Sequence, residues 1–374
     1  MQNKSVSRIF GLDCVRALAI TLVILSHCSF LLFPGETSLF LDSVRLMGAI
    51  GVDLFFVLSG YLIGGILLKQ LIDKKTSWSF FLNFWKRRWF RTLPNYFLIL
   101  ILNILLFLII GHSLPKDIFL YYLFFQNFAR KHPNFFTEAW SLSVEEYAYL
   151  LLPIIFYIGM TINKKWKAPK FFLWVTISTI VALALIKLEY FFNNEVSSYK
   201  DWSTSFRKVV IYRLDSIYYG FLAAYCVKLY PEFISRNKKG FLVFGLCLFA
   251  VLHIFIYMFN LLPQNNMFFY TFFYLQLLCI SLIALFPNFI ELKSQTPFKS
   301  IVLFVSTRSY AMYLVNYSLI LLSLQRVFDL EETSVLSKVG LLFFFLGICI
   351  IISNLIYVYF EKPILKYRDT KFPR

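Results

Sequence analysis

The chain of 374 residues predicts an all-α, polytopic membrane protein with about ten transmembrane helices in one bundle, and three observations lead there. Hydrophobic residues make up 59% of it and the mean hydropathy is +0.69, which soluble domains do not reach. The apolar residues come in blocks of about twenty, the length that crosses a bilayer core. The cations behind a net charge of +17 fall mostly in short segments between those blocks, which fits the positive-inside rule better than nucleic-acid binding. No nucleic-acid motif is present, and no nucleic-acid partner is expected.

In chain order the blocks read as spans at 13–33, 48–69, 89–111, 140–160, 170–191, 206–229, 239–260, 268–286, 300–324 and 336–360. The first follows Lys4 and Arg8 like a signal sequence, but it is longer than a usual h-region and no cleavage pattern follows, so it reads as a retained span. The stretch DIFLYYLFFQNFA (117–129) is too short to cross easily and is expected at the interface or re-entering. With the N-terminus inside, the inside segments carry Lys4, Arg8, the cluster Lys69 to Arg91, Lys164 to Lys170, Lys228 to Lys239, Lys293, Lys299 and the tail after Glu361. The outside segments hold roughly a third as many cations, so both termini read as cytoplasmic and the whole as a single integral-membrane domain. No repeat of broken helices marks a secondary transporter, and no appended soluble domain is expected. The six cysteines are scattered in apolar blocks without a CxxC, so neither a disulfide framework nor a zinc site is expected.

Ionisable residues inside spans are expensive and mark function by default. His27, Asp53 and Glu145 each fall five or six residues below the outer end of their span, about 8–9 Å deep at 1.5 Å rise per residue, and so form a candidate site. Arg16, near the inner end of the first span, and Arg87, Arg88 and Arg91 of KRRWFRTLP form a second level. Guanidinium groups suit phosphate because their planar fork donates two parallel hydrogen bonds. Arg16 and His27 are eleven residues apart, about three turns, and share one helix face about 16 Å apart. A ligand with phosphates at one end and a reactive group at the other fits that span, and coenzyme A has this shape.

Structural readings stand beside these. Arg16 can snorkel, the other arginines can anchor topology, and Trp85 and Trp89 fit an interfacial belt. His27 can be a satisfied core histidine. Asp53 and Glu145 can pair with Arg213 or Lys187. Gly60 and Gly64 suit close helix packing, and His253 reads as structural. His112 and His132 lie in an outer loop, where they can meet a substrate. A metal site at His27, Asp53 and Glu145 lacks a second histidine, and no metal is expected.

The motif string resembles the membrane-bound acyltransferase 3 family, which modifies bacterial surface polysaccharides and other acceptors. LDCVRALAITLVILSH (12–27), GVDLFFVLSGYLI (51–63), RRWFRTLPNY (87–96) and WSLSVEEYAYLLLP (140–153) are similar to its signature blocks; YRLDSIYYG (212–220), SYAMYLVN (309–316) and FEKP (360–363) are similar to weaker ones. The resemblance covers nearly the whole chain in order. It implies a bundle of about ten helices without an SGNH-type domain, in the bacterial cytoplasmic (inner) membrane. It implies acyl-CoA, usually acetyl-CoA, as donor, and as acceptor a hydroxyl of a glycan or lipid-linked glycan such as O-antigen of lipopolysaccharide, capsule or exopolysaccharide. It points to His27 as the catalytic histidine, to Arg16, Arg88 and Arg91 at donor or activity positions, and to Glu145 at the glutamate of the WSLSVE block. Two departures stand out. Asn316 occupies a place where many members have histidine, and since it cannot shuttle protons it is assigned no catalytic role. Tyr147 and Ala148 replace a more usual glutamine and phenylalanine.

On this reading His27 is either general base on the acceptor hydroxyl or nucleophile on the thioester, with Glu145 or Asp53 orienting the imidazole. Three other readings remain open: a proton-coupled transporter using His27, Asp53 and Glu145 as a relay, a non-catalytic partner in glycan assembly, and an acyltransferase using succinyl or another acyl group.

Overall fold

The computed structural model describes residues 9–162, 166–293, 297–328 and 334–373. Lys4, Arg8, Lys164, Lys165 and Arg374, five of the cations used to orient the chain, lie outside the described residues. All ten predicted spans are helical over most of their length: α1 (Phe10–Leu32), α2 (Leu39–Ile72), α3 (Trp78–Ile109), α4 (Ala139–Ile162), α5 (Ala168–Asn193), α6 (Leu214–Leu229), α7 (Lys238–Met258), α8 (Met267–Ile290), α9 (299–327) and α10 (Val335–Lys371). No strand occurs among the described residues. Eight of these helices, all but α6 and α9, are long and apolar enough to cross a membrane.

The differences from the predicted boundaries have physical causes. At 34 and 32 residues, α2 and α3 are each about 50 Å long, well beyond a bilayer core of about 30 Å. The extra turns of α3 are polar and lower the local hydropathy, so the predicted start at 89 falls eleven residues after the helix begins at Trp78. Trp85 is consequently no interfacial anchor. It is 4% exposed, and its indole N–H donates to the Tyr149 carbonyl (3.0 Å), tying α3 to α4. The last turns of α10 pack beside the first turns of α3, where Arg87 pairs with Asp369 (2.8 Å).

The sixth span starts late. Residues 203–207 form a π turn and 210–212 a 3₁₀ turn before α6 begins at Leu214. The short apolar stretch packs against this region. Its 3₁₀ turn (Ile118–Leu123) ends at Phe124 with φ +60°, and the Asn127 and Phe128 carbonyls accept from Val210 N (3.0 Å) and Ile211 N (3.2 Å).

The bundle centre is α2, gripped between α1 and α6. A Cβ on Gly60 would lie 1.8 Å from the Ile217 carbonyl oxygen, and one on Gly220 would lie 2.3 Å from that of Val57. Only glycines permit this crossing of α2 and α6. The tight approach brings Asp53 of α2 against Arg213 at the head of α6.

Candidate functional site

The α1 helix meets α9 at two rungs. At one, Arg16 donates to Ser306 Oγ (3.2 Å) and pairs with Asp13 (3.0 Å). At the other, His27 Nδ1 meets Asn316 Oδ1. The rungs are eleven residues apart on α1 and ten on α9, so the two helices run parallel with a separation of about 15–16 Å between rungs. The shared face expected of Arg16 and His27 is therefore the face that packs on α9.

Local chemistry fixes the histidine's tautomer. The backbone widens from α to π at Asn316–Leu321, a distortion that often marks functional sites. The Asn316 amide NH₂ donates to the Met312 and Tyr313 carbonyls, both at 2.8 Å. Its Oδ1, which can only accept, faces His27. The ring must then carry its proton on Nδ1, which leaves a lone pair on Nε2. Asn316 is fully buried, whereas His27 is half-buried and stacks beside Tyr317 at 4.8 Å between ring centroids. The imidazole is thus held at Nδ1, with its ring only half covered.

Glu145 and Asp53, both expected beside His27, have other partners. Asp53 is 1% exposed and pairs with Arg213 and, at 3.7 Å, with Arg207. Lys187 pairs with Asp215 (2.5 Å). Each acid is matched to a cation and sealed, the structural arrangement foreseen for Asp53. Glu145 bridges to Arg88 (3.1 Å) and accepts from Ser59 Oγ (2.9 Å). Because α3 starts early, Arg88 lies ten residues into the helix and reaches Glu145 rather than standing at a helix start. Neither acid hydrogen-bonds His27; the orienting partner is Asn316.

The structure does bring the three predicted donor arginines together. Arg88 stacks on Tyr149 (4.2 Å to the ring centroid) and donates to its hydroxyl (2.8 Å). Arg91 stands in the electrostatic field of Arg16, Arg88 and Arg368, with Glu361 as the nearby acid. Among the described residues the Arg91 guanidinium makes no hydrogen bond or ion pair. Arg87 instead turns to Asp369 and is an anchor. Each of the three guanidinium groups therefore has an acid close by: Asp13 for Arg16, Glu145 for Arg88 and Glu361 for Arg91.

The two outer-loop histidines differ. His132 is buried and donates from Nδ1 to the Pro133 carbonyl (2.7 Å), and burial pushes its pKa down to about 3. His112 lies beside Arg326 (2.9 Å). His253 bonds the Phe249 carbonyl within α7 (2.8 Å), a structural role. Tyr147 caps the Leu123 carbonyl (3.2 Å), and Ala148 is buried against Tyr218, whose hydroxyl donates to its carbonyl (3.3 Å). Among the described residues no group of three or more potential metal ligands occurs.

The fold and site define a class: a multi-pass helical membrane protein with a histidine–amide pair at one level and an arginine cluster about three turns away. Sequence comparison places it more narrowly. A family model described as an acyltransferase domain matches residues 9–357, nearly the whole chain, and the protein belongs to that family. It is 27% identical over 97% of its length to a Staphylococcus aureus protein named "Putative O-acetyltransferase SACOL0978", covering 58% of that protein. It is 32% identical over 41% of its length to "Putative peptidoglycan O-acetyltransferase YrhL" of Bacillus subtilis, covering 24% of it. It is 25% identical over 83% of its length to "O-acetyltransferase OatA" of Staphylococcus aureus, covering 50% of it. The chain spans about half the length of such relatives. No solved structure matches.

Proposed function

We propose that the protein is a membrane O-acyltransferase that moves an acetyl group from acetyl-CoA, bound at the arginine end, to a hydroxyl of a cell-surface glycan arriving at the histidine end. The single observation that carries this is the α1–α9 ladder: His27, held by Asn316 as an Nδ1–H tautomer, stands about three turns above the cluster of Arg16, Arg88 and Arg91. The family and the names of its relatives support acetyl transfer. The arginine end faces the cytosol, where the donor is made, and the membrane is the bacterial cytoplasmic membrane.

Arg16, Arg88 and Arg91 hold the donor's phosphates, and Glu145 positions Arg88. His27 Nε2 takes the proton from the acceptor hydroxyl as that oxygen bonds to the thioester carbonyl carbon. The tetrahedral adduct collapses, the carbon–sulfur bond breaks, and His27 returns the proton to the departing thiolate. Asn316 plays the part of the third member of a triad, but as a neutral group: it fixes ring orientation and tautomer without taking charge.

Two measurements on detergent-solubilised full-length protein test the reading. Saturating acetyl-CoA should raise the apparent melting temperature of wild type, because a ligand that binds only the folded state stabilises it, and Arg88→Ala should lose the shift. His27→Ala should keep the shift and lose acetyl transfer by about a thousandfold or more. No shift in well-folded wild type, or normal transfer by His27→Ala, would sink the proposal.

A further inference from the structure

Lys208 lies between the π turn at Ser203–Arg207 and the 3₁₀ turn at Val210–Tyr212. Its backbone is clamped: the N–H donates to the Ser203 carbonyl (3.0 Å), and the carbonyl accepts from Asn127 Nδ2 (2.7 Å). That clamp joins the 117–129 segment to the turns before α6, so the lysine is carried by hydrogen-bonded structure. The half-buried side chain lies in the electrostatic field of His27 and of His132. Two other cations, Arg207 and the exposed Lys200, lie in the same field. Arg207 serves Asp53 and the Ala49 carbonyl (3.0 Å), and Lys131 serves Asp201 (2.8 Å). Glu138 is the one acid in the field of Lys208, and its carboxylate is taken by Ser318, whose N–H donates at 2.7 Å and whose hydroxyl also donates. Among the described residues the Lys208 ammonium makes no hydrogen bond or ion pair.

A half-buried cation with no hydrogen bond or ion pair among the described residues, in the electrostatic field of His27 and held by a clamped backbone, suits an anionic ligand group. We infer that Lys208 receives an anionic group of the acceptor, a phosphate or a carboxylate, and so selects acidic glycans over neutral ones. This deepens the proposed function and rests on it. It also assigns the two cationic levels different tasks: Arg16, Arg88 and Arg91 for the donor, Lys208 for the acceptor.

The test uses membranes of a bacterium expressing the full chain, supplied with radiolabelled acetyl-CoA, with the labelled glycan resolved by anion exchange. Label should appear in acidic glycan. Cleavage of phosphate esters should move it to the neutral fraction if the group is phosphate, and carboxyl reduction should do so if it is carboxylate. Lys208→Met should cut labelling about tenfold or more through the acceptor KM, as expected for loss of one charge-assisted hydrogen bond. Lys208→Arg should keep most of it. Both variants should keep the acetyl-CoA melting shift, which shows that they fold and bind donor. Label in neutral glycan, or equal labelling by Lys208→Met, would overturn the inference while leaving acyl transfer standing. No label from wild type would bring down the transferase reading, and the inference with it.

Discussion

Two groups of charges inside the bundle handle the same problem in opposite ways. Around Asp53, Arg213 and Arg207, and again at Lys187 and Asp215, acids and cations pair and are almost completely buried. Around Arg16, Arg88 and Arg91 the cations are only partly covered, and Arg91 is exposed. Sealed ion pairs lock helices in register. Partly open guanidinium groups stay within reach of a ligand even though acids stand near them. Ionisable residues in an apolar segment therefore carry two distinct meanings, and burial separates them.

The comparison breaks most easily at its sealed side. Asp53→Ala leaves Arg213 buried without its acid and should destabilise the protein by about 3–5 kcal/mol. The paired replacement Asp53→Leu with Arg213→Met should recover most of that loss and still bind acetyl-CoA. Melting curves with and without acetyl-CoA check both. A double variant that folds but fails to bind donor would erase the distinction between the two groups.

Asn316 sharpens the comparison, because it positions His27 with a neutral contact where the sealed layer uses charge. Asn316→Ala should lower acetyl transfer about 10–100-fold with the acetyl-CoA shift unchanged, since only ring orientation and tautomer are lost. Asn316→His should restore part of the activity and bring in a second titratable group, so the pH–rate profile should change shape. An Asn316→Ala enzyme of full activity would show that the ladder's upper rung is only packing. The smallest effect is expected at Arg91. Arg91→Ala should weaken acetyl-CoA binding about tenfold, the worth of a charge-assisted hydrogen bond, with little change in melting temperature without ligand. A lower melting temperature without ligand would move Arg91 into the sealed class.

Much of this was readable along the chain. Blocks of about twenty apolar residues fix where helices form because the bilayer sets their length. The eleven-residue interval from Arg16 to His27 fixes a shared face because helical geometry is local. The family signature lies in contiguous stretches, and the tight crossing at Gly60 follows from a spacing of small residues. Pairing across helices was readable only as a set of alternatives, of which Asp53 with Arg213 is the one that forms. The polar first turns of α3 resemble a loop by hydropathy, so Arg88 was placed eleven residues too near a helix end and its contact with Glu145 was missed. Asn316 was set aside as unable to carry a proton, yet its value lies in an amide orientation set by the Met312 and Tyr313 carbonyls and visible only in three dimensions. Lys208 drew no notice, because nothing in its neighbouring residues says that the chain folds back and brings it into the electrostatic field of His27. The sequence by itself determined segment lengths, helix faces and the residue types available for chemistry, all of which depend on near neighbours. Only the tertiary structure decided which charge meets which, because an ion pair or a hydrogen bond across a bundle depends on the register of helices far apart in the chain, and hydropathy carries no information about register.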